Sequence, residues 1–346
     1  MNLRRHMSLA ATAAKLRAAA AALVLLGVAG CGAAASPSGP AHTEKLRLSL
    51  DWTSYVAYHA PIILAEEKGI FAKHGLDVQD SFTGGSKDAA LAVGTGQADM
   101  AWADLSTASV SMLSGLPLKA VATVQAKNAS GLTVLEGTKL DTAQDAVGLR
   151  IGSTPGGSDS TLIGAFLKKN NIPQDKVTIV NLPANGKFTA LMTGKVDAIS
   201  GQLYFYISSV AAQGKTAHGL SYSDMGTDTL DHGFVASNDY ISKHPDAIKN
   251  FLAAFQEGLK ATVDDPAGAC KIVSGRSNGS LSQQSCESQL KLWLPLATSP
   301  SAPNWGKNDL QKWQETVDIL KTFGGATGSV APAQMFTNDF IPGYTK

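Results

Sequence analysis

Residues 96–103 read GQADMAWA, and residues 194–200 read GKVDAIS. In each, a segment with Ala and Leu at helical spacing runs up to a Gly that can take the left-handed C-cap. An Asp then opens an apolar strand. The stretches lie about a hundred residues apart. They predict two similar α/β lobes in one chain. Two unrelated βα units would leave the same echo, because Gly commonly ends helices, so the surrounding pattern must decide.

Working outward, 46–52 (LRLSLDW) alternates like a strand, and 76–78 (LDV) starts a second. Further strands are expected at 98–103, 118–124, 149–153, 177–182 and 196–200. Helical spacing separates them at 60–74 (broken at Gly69), 86–93, 105–114, 158–170 and 186–193. Strands alternating with helices imply βαβ units and largely parallel sheets. Beyond residue 244 the pattern turns helical, at 245–264, 281–296 and 308–323.

The first 31 residues carry Arg4, Arg5, Lys15 and Arg17, then an apolar run at 18–30, then Cys31. A basic start, a short apolar core and a small-residue cleavage site make a secretory signal. The run is shorter than the roughly 20 residues a spanning helix needs. Gly30-Cys31 after Val28-Ala29 resembles the bacterial lipobox, in which the Cys is acylated. That resemblance implies a lipid-anchored protein on the extracytoplasmic face of the cell membrane. Residues 32–44 are small and polar and read as a tether.

With the four leader cations set aside, 25 basic residues face 28 acidic ones. No basic stripe suits nucleic acid. No later segment is apolar enough to span a membrane. Cys270 and Cys286 form an even pair in an oxidising compartment, which favours a disulfide over two buried thiols. No His stands at metal-ligand spacing from either, so neither a metal nor another cofactor is expected.

SLDW, His59, AEEKGIFAKHGLDV and TGGSKDAALAVGTGQADMA resemble the amino-terminal lobe of ABC-importer solute-binding proteins. The relevant group takes sulfonates, taurine, nitrate or the pyrimidine precursor of thiamine. GLRIGSTPGGSDS, DAISGQ, the HGFVASNDYISKHPDAIKNFLAAFQEGLKATVDDP block and FTNDFIP extend the match over residues 45–342. The resemblance implies a type II periplasmic-binding-protein fold, α/β, with a ligand cleft between two lobes. Lobe 1 would comprise 45–128 and 236–346, and lobe 2 residues 129–235, with crossings near 125–132 and 232–238. It further implies a monomer that hands its solute to a permease and, through it, an ATPase. A relative of this fold makes thiamine pyrimidine at a cysteine-rich iron site. This chain lacks such a Cys run and carries an export leader, so an enzyme is not expected. There is no Gly-x-Ser-x-Gly elbow either. A solute sensor would fit the same features.

Open α/β sheets bind ligands beyond the carboxyl ends of their strands. That rule selects Trp52, Tyr55 and His59 after the first strand, with Asp51 and Tyr58 beside them. Their rings suit a planar ligand or pad the lobe seam. Gly84, Gly85 and Ser86 follow the second strand, where backbone N–H groups could meet an acceptor or Ser86 could cap a helix. Trp102 and Asp104 follow the third; Asp104 would favour N–H donors and repel a sulfonate, or cap the helix from 105. In lobe 2, Ser153, Thr154, Gly157 and Ser158 form a Gly-rich loop opening a helix. It is no P-loop, since no Gly-Lys-Ser/Thr closes it. Asn185-Gly186-Lys187-Phe188 reads as another loop-to-helix start. Gln202, Tyr204 and Tyr206 follow the DAIS strand, facing ligand or packing the hinge. Few cations fall in these loops, so a small pyrimidine-like heterocycle is preferred, with sulfonate, taurine or nitrate second.

Overall fold

The computed structural model describes residues 43–345; the signal segment, Cys31 and most of the tether lie outside them. Ten strands form two five-stranded sheets. In chain order they are β1 (Glu44–Leu50), β2 (Leu76–Phe82), β3 (Met100–Asp104), β4 (Leu118–Thr123), β5 (Ser130–Leu135), β6 (Arg150–Ser153), β7 (Thr178–Asn181), β8 (Ala198–Gln202), β9 (Ala217–Ser221) and β10 (His232–Ser237). The first sheet is ordered β2-β1-β3-β10-β4 and the second β7-β6-β8-β5-β9. These are one topology used twice. In each sheet three strands run parallel, and the fourth position is taken by an antiparallel strand, β10 or β5.

The two-lobe reading of the echo is borne out at its defining residues. Gly96 and Gly194 both take left-handed backbone, with φ of 74° and 69°. The following Asp clamps the start of the neighbouring strand. Asp99 accepts the Arg47 backbone N–H at 2.8 Å and pairs with its guanidinium at 2.6 Å. Asp197 does the same for Arg150, at 2.8 Å and 2.8 Å. A bidentate guanidinium–carboxylate contact fixes both distance and direction, so each lobe sets its strand register in the same way.

The sequence placed a crossing near 232–238, and here the structure differs. His232–Ser237 is a central strand, paired with β3 and β4. The chain returns from the second sheet to the first between Ser221 and His232, and leaves the first between Thr123 and Ser130. Strands β5, β9 and β10 were not expected. β5 and β10 enter their sheets straight from a crossing rather than through a helix, so no βα signal announces them; β9 follows a helix, but its AHGLS stretch buries only Leu220 and carries no apolar alternation.

Side chains alternate across each sheet with period two. Met100 and Trp102 of β3 face one apolar core, while Ala101 and Ala103 face another. The helix Pro245–Asp264 covers the first core with Ile248, Phe251, Leu252, Phe255 and Leu259, spaced as one helical face. It lies close on the helix Ala60–Glu67, because a Cβ at Gly258 would meet the Ala65 Cβ at 3.1 Å.

The helices Pro266–Arg276 and Gln283–Trp293 are joined by the Cys270–Cys286 disulfide, as the cysteine pairing predicted. The second of them packs on the helix Leu203–Ala211, which follows β8 of the other sheet. Cross-linking residues 16 apart removes loop-closure freedom from the unfolded chain. Replacing both cysteines by serine should lower the unfolding free energy by about 3 kcal/mol. Urea unfolding of the two proteins under non-reducing conditions checks this; equal midpoints would show that the bridge does not constrain the unfolded state.

Candidate functional site

Loops at the carboxyl ends of both sheets meet around a small enclosed cavity. Its walls include Asp51, Trp52 and Tyr58 after β1, Gly85 and Ser86 after β2, and His232 at the start of β10. From the other sheet come Gly157, Ser158 and Asp159 after β6, Lys187, and Gly201, Gln202, Phe205 and Tyr206 at and beyond the end of β8. The cavity volume is about 30 Å³, room for a water or two. The lobes are shut on each other. Lys87 N–H donates to the Gly156 carbonyl across the gap at 3.2 Å. A Cβ on Gly85 would meet the Gly156 oxygen and the Gly157 Cα, both at 3.1 Å, so glycine is what lets these backbones approach.

On the first wall His232 lies between two carboxylates. Its Nε2 bonds Asp51 at 2.9 Å, and its Nδ1 bonds Asp231. Burial disfavours the imidazolium, but the two carboxylates outweigh it and raise the pKa well above the ordinary value. Burial likewise pushes the Asp51 carboxyl up; His232 and the Ser86 hydroxyl, at 2.6 Å, outweigh it and hold Asp51 below the usual range. Trp102 stacks beneath His232, with ring centroids 5.3 Å apart, and Tyr58 lies tilted at 5.2 Å. Asp231 is completely buried. It also accepts Gln125 Nε2 at 2.8 Å, Ala129 N–H at 2.8 Å and Gln202 Nε2 at 3.1 Å.

On the second wall the buried Lys187 Nζ bonds Asp159 at 2.7 Å and the Ser200 carbonyl at 2.9 Å. Burial would lower the ammonium pKa, yet the adjacent carboxylate wins and raises it. Asp159 also accepts the Thr154 N–H at 2.8 Å and the Ser153 hydroxyl at 3.2 Å. Lys187 Nζ stands 5.3 Å from the Tyr206 ring and 5.9 Å from that of Trp52, within cation–π range. Each buried cation thus has its carboxylate. In the Gly-rich loop, Asp159 takes the Thr154 N–H and the Ser153 hydroxyl, two donors that an outside anion could otherwise use.

Of the residues selected from sequence, Trp52, Gly85, Ser86, Gly157, Ser158 and Gln202 line the cavity. Ser86 does not cap its helix. It ties β1 to β3, donating to Asp51 and accepting the Asp104 N–H at 3.1 Å. Gly84 lies just outside the lining. Ser153 and Thr154 support Asp159 from behind. Tyr55 faces an outer pocket, donating to Asp80 at 2.6 Å and accepting from Arg276 at 2.9 Å. His59 is buried, and burial lowers its pKa to about 3, so its imidazole is neutral. Trp102 is core beneath the wall. Asp104 caps the helix Leu105–Leu113, accepting the Thr107 N–H at 2.7 Å; burial and the nearby Asp231 raise it to about 6.

Tyr204, expected with Gln202 and Tyr206 to face ligand or pack the hinge, is buried in the first core. The chain is helical from Leu203, so Gln202, Phe205 and Tyr206 share the cavity face while Tyr204 turns into the interior. Lys187, Asp159 and His232 were not selected. The Asn185-Gly186-Lys187 stretch pointed to a helix start, and a Lys one position inside it gives no sign of burial. The adjacent pair Asp231-His232 was the available signal for the first wall.

Residues 56–269 match the family described as NMT1/THI5 like, and the chain belongs to that family. It is 24% identical over 321 residues to a riboflavin-binding protein, RibY, of Chloroflexus aurantiacus, covering 90% of each chain. A formylaminopyrimidine-binding protein of Halalkalibacterium halodurans is 23% identical, over 80% of this chain and 84% of that one. A 4-amino-5-hydroxymethyl-2-methylpyrimidine phosphate synthase of Uromyces fabae is 25% identical, over 66% and 71%. The solved alkanesulfonate-binding protein SsuA of Xanthomonas axonopodis pv. citri superposes with a TM-score of 0.68 at 18% identity, covering 87% of this chain and 99% of that one. The fold is therefore that of periplasmic binding proteins, two α/β lobes with the cleft between them.

The buried imidazolium fixes a pH dependence. His232 binds its proton more tightly folded than unfolded, so its contribution to stability is complete below pH 6.5, the ordinary histidine value. It is lost as pH rises from there through the raised folded value, with a slope of up to about 1.4 kcal/mol per pH unit. His59, neutral in the folded protein, adds an opposing slope near pH 6.5, where the unfolded imidazole still takes a proton, and none above about pH 7.5. Urea unfolding from about pH 7.5 to 9 should show the decline in the wild type and a flat profile in His232→Asn. A decline of equal steepness in the variant would mean that His232 is not protonated in the folded protein.

Proposed function

We propose that this chain is the extracytoplasmic solute-binding lipoprotein of an ABC importer, and that it captures a small, planar, uncharged heterocycle and releases it unchanged. The observation that carries the reading is the charge balance of the cavity. Lys187 is matched by Asp159, and His232 by Asp51 and Asp231. A bare sulfonate or nitrate would need a free buried cation. A neutral ring needs stacking surface and hydrogen-bond partners, which Trp52, Phe205 and Tyr206 and the Asp51 and Gln202 side chains supply. Relatives bearing the names of a riboflavin- and a formylaminopyrimidine-binding protein agree with it. The synthase relative keeps the enzyme reading as the alternative, against which stands the export leader read in residues 1–31. Sulfonate, taurine or nitrate binding is the second reading within the importer class, favoured by the SsuA fold match alone.

Within this proposal the leader ends at Cys31, whose acylation anchors a monomer beside its permease and ATPase. Among the described residues no helix is long and apolar enough to cross a membrane. Cys31→Ser should release the protein from the membrane fraction in salt-washed cells. A variant that stays bound with unchanged electrophoretic mobility would overturn the anchor.

Calorimetry against pyrimidines, flavins, sulfonates, taurine and nitrate should find one micromolar or tighter ligand, near −8 kcal/mol. Mass spectrometry should recover it unaltered; a chemically changed product would replace the reading with an enzymatic one. Trp52→Ala should weaken binding by about 1–3 kcal/mol if the indole stacks on the ring, by analogy with base–aromatic stacking. Unchanged affinity in a folded variant would remove the planar ligand.

A further inference from the structure

A second, larger pocket of about 320 Å³ adjoins the cavity. The two share Trp52, Val56, Phe205 and Tyr206, so they lie on opposite sides of the same side chains. Trp52 meets Phe205 edge-on, with centroids 5.9 Å apart. These rings come from different lobes and form a partition between inner cavity and outer vestibule. The vestibule itself is built from four pieces. They are the 52–56 loop, the 184–188 segment, the helix Leu203–Ala211 with the turn after it, and the disulfide-braced hairpin.

The chemistry of the vestibule is unlike that of the cavity. None of its 17 lining residues is charged, and none is a histidine. Hydroxyls and amides recur around its wall, at Asn185, Ser209, Gln213, Ser280, Ser285 and Gln289. Gln289 is 2% exposed. Its Oε1 accepts the Ala57 N–H at 3.3 Å, while its Nε2 has no partner among the described residues. The side chains of Asn185 and Gln213, on the rim, make no hydrogen bond to the described residues either. Such a surface offers donors and acceptors without a field. It suits a neutral polyhydroxylated chain or sugar, whose hydroxyls each give and take a bond. It is poor for a phosphate, which would meet no cation.

Resting on the heterocycle reading, we infer that the vestibule is a subsite for an uncharged polyol or sugar substituent on the ring held inside. The ligand class is therefore a planar heterocycle carrying a neutral hydroxylated arm, with the arm passing the Trp52–Phe205 partition. Each compartment is walled from both lobes; the inner one, about 30 Å³ as shut here, admits a ring only once the lobes part further.

Two matched sets of probes test this by calorimetry: uracil, uridine and uridine 5′-monophosphate; and lumichrome, riboflavin and flavin mononucleotide. In the set whose ring binds, the hydroxylated member should bind at least tenfold more tightly than the bare ring, and the phosphorylated member should lose that gain. The double variant Asn185→Leu/Gln213→Leu should remove most of the gain and leave bare-ring affinity unchanged. Both residues are exposed and unbonded, so the fold is not at risk. Equal affinity of ring and hydroxylated ring, or a gain that survives in the variant, would overturn the subsite while leaving heterocycle binding intact. Failure of every probe to bind would overturn the heterocycle reading itself, and the subsite with it.

Discussion

The carboxylate of Asp231 holds the molecule's two halves in register. It sits on the segment returning from the second sheet and accepts from Gln125 and Ala129 on the segment leaving the first. It also accepts from Gln202 at the end of β8, and from His232, which forms the cavity wall. A fully buried carboxylate is costly unless each lone pair finds a donor. Here five hydrogen bonds to four residues from both crossings and both lobes meet that need. Losing any one would leave a buried charge undersatisfied, so the relative placement of the crossings is fixed by a single side chain. Trp293 extends the arrangement, donating its indole N–H to Gln125 Oε1 at 3.1 Å. The disulfide hairpin is thereby tied to the same hinge.

The same logic governs the cavity. Two cations and their carboxylates are buried at its edge, yet the walls present little net charge. Buried ion pairs of this kind add little to stability relative to apolar packing, because desolvation offsets the attraction. Their effect here is on selectivity. An arriving anion would have to compete with Asp159 for Lys187 and the Thr154 N–H, or with Asp51 and Asp231 for His232. A neutral ring competes with none of them.

Much of this was legible in the sequence, and the reason is local. Gly96 and Gly194 stop helices by left-handed backbone, and Asp99 and Asp197 act within one strand's reach, so the duplicated lobe left a readable mark. The Gly-rich loops and Trp52 were found because the strand-end rule needs only the order of elements. What escaped depended on long-range pairing. Strands β5 and β10 enter from crossings, with no preceding helix to reveal them. Lys187 and Asp159 are 28 residues apart, and a buried Lys looks like a surface one until its partner is placed. Phe205 was missed and Tyr204 selected because facing beyond Gln202 depends on where strand gives way to helix, and that boundary lies between Gln202 and Leu203.

The backbone bond from Lys87 to Gly156 has a kinetic side. Neither group belongs to a side chain that could swing away, and Gly85 rests against Gly157 without a Cβ between them. On this side a molecule behind the seam cannot leave by a local rotamer flip, although the Trp52 and Phe205 side chains bound it on the other. Exit through the seam waits on the parting of the two lobes. Residues far from the cavity that ease or resist that parting would then alter residence without touching the occupant.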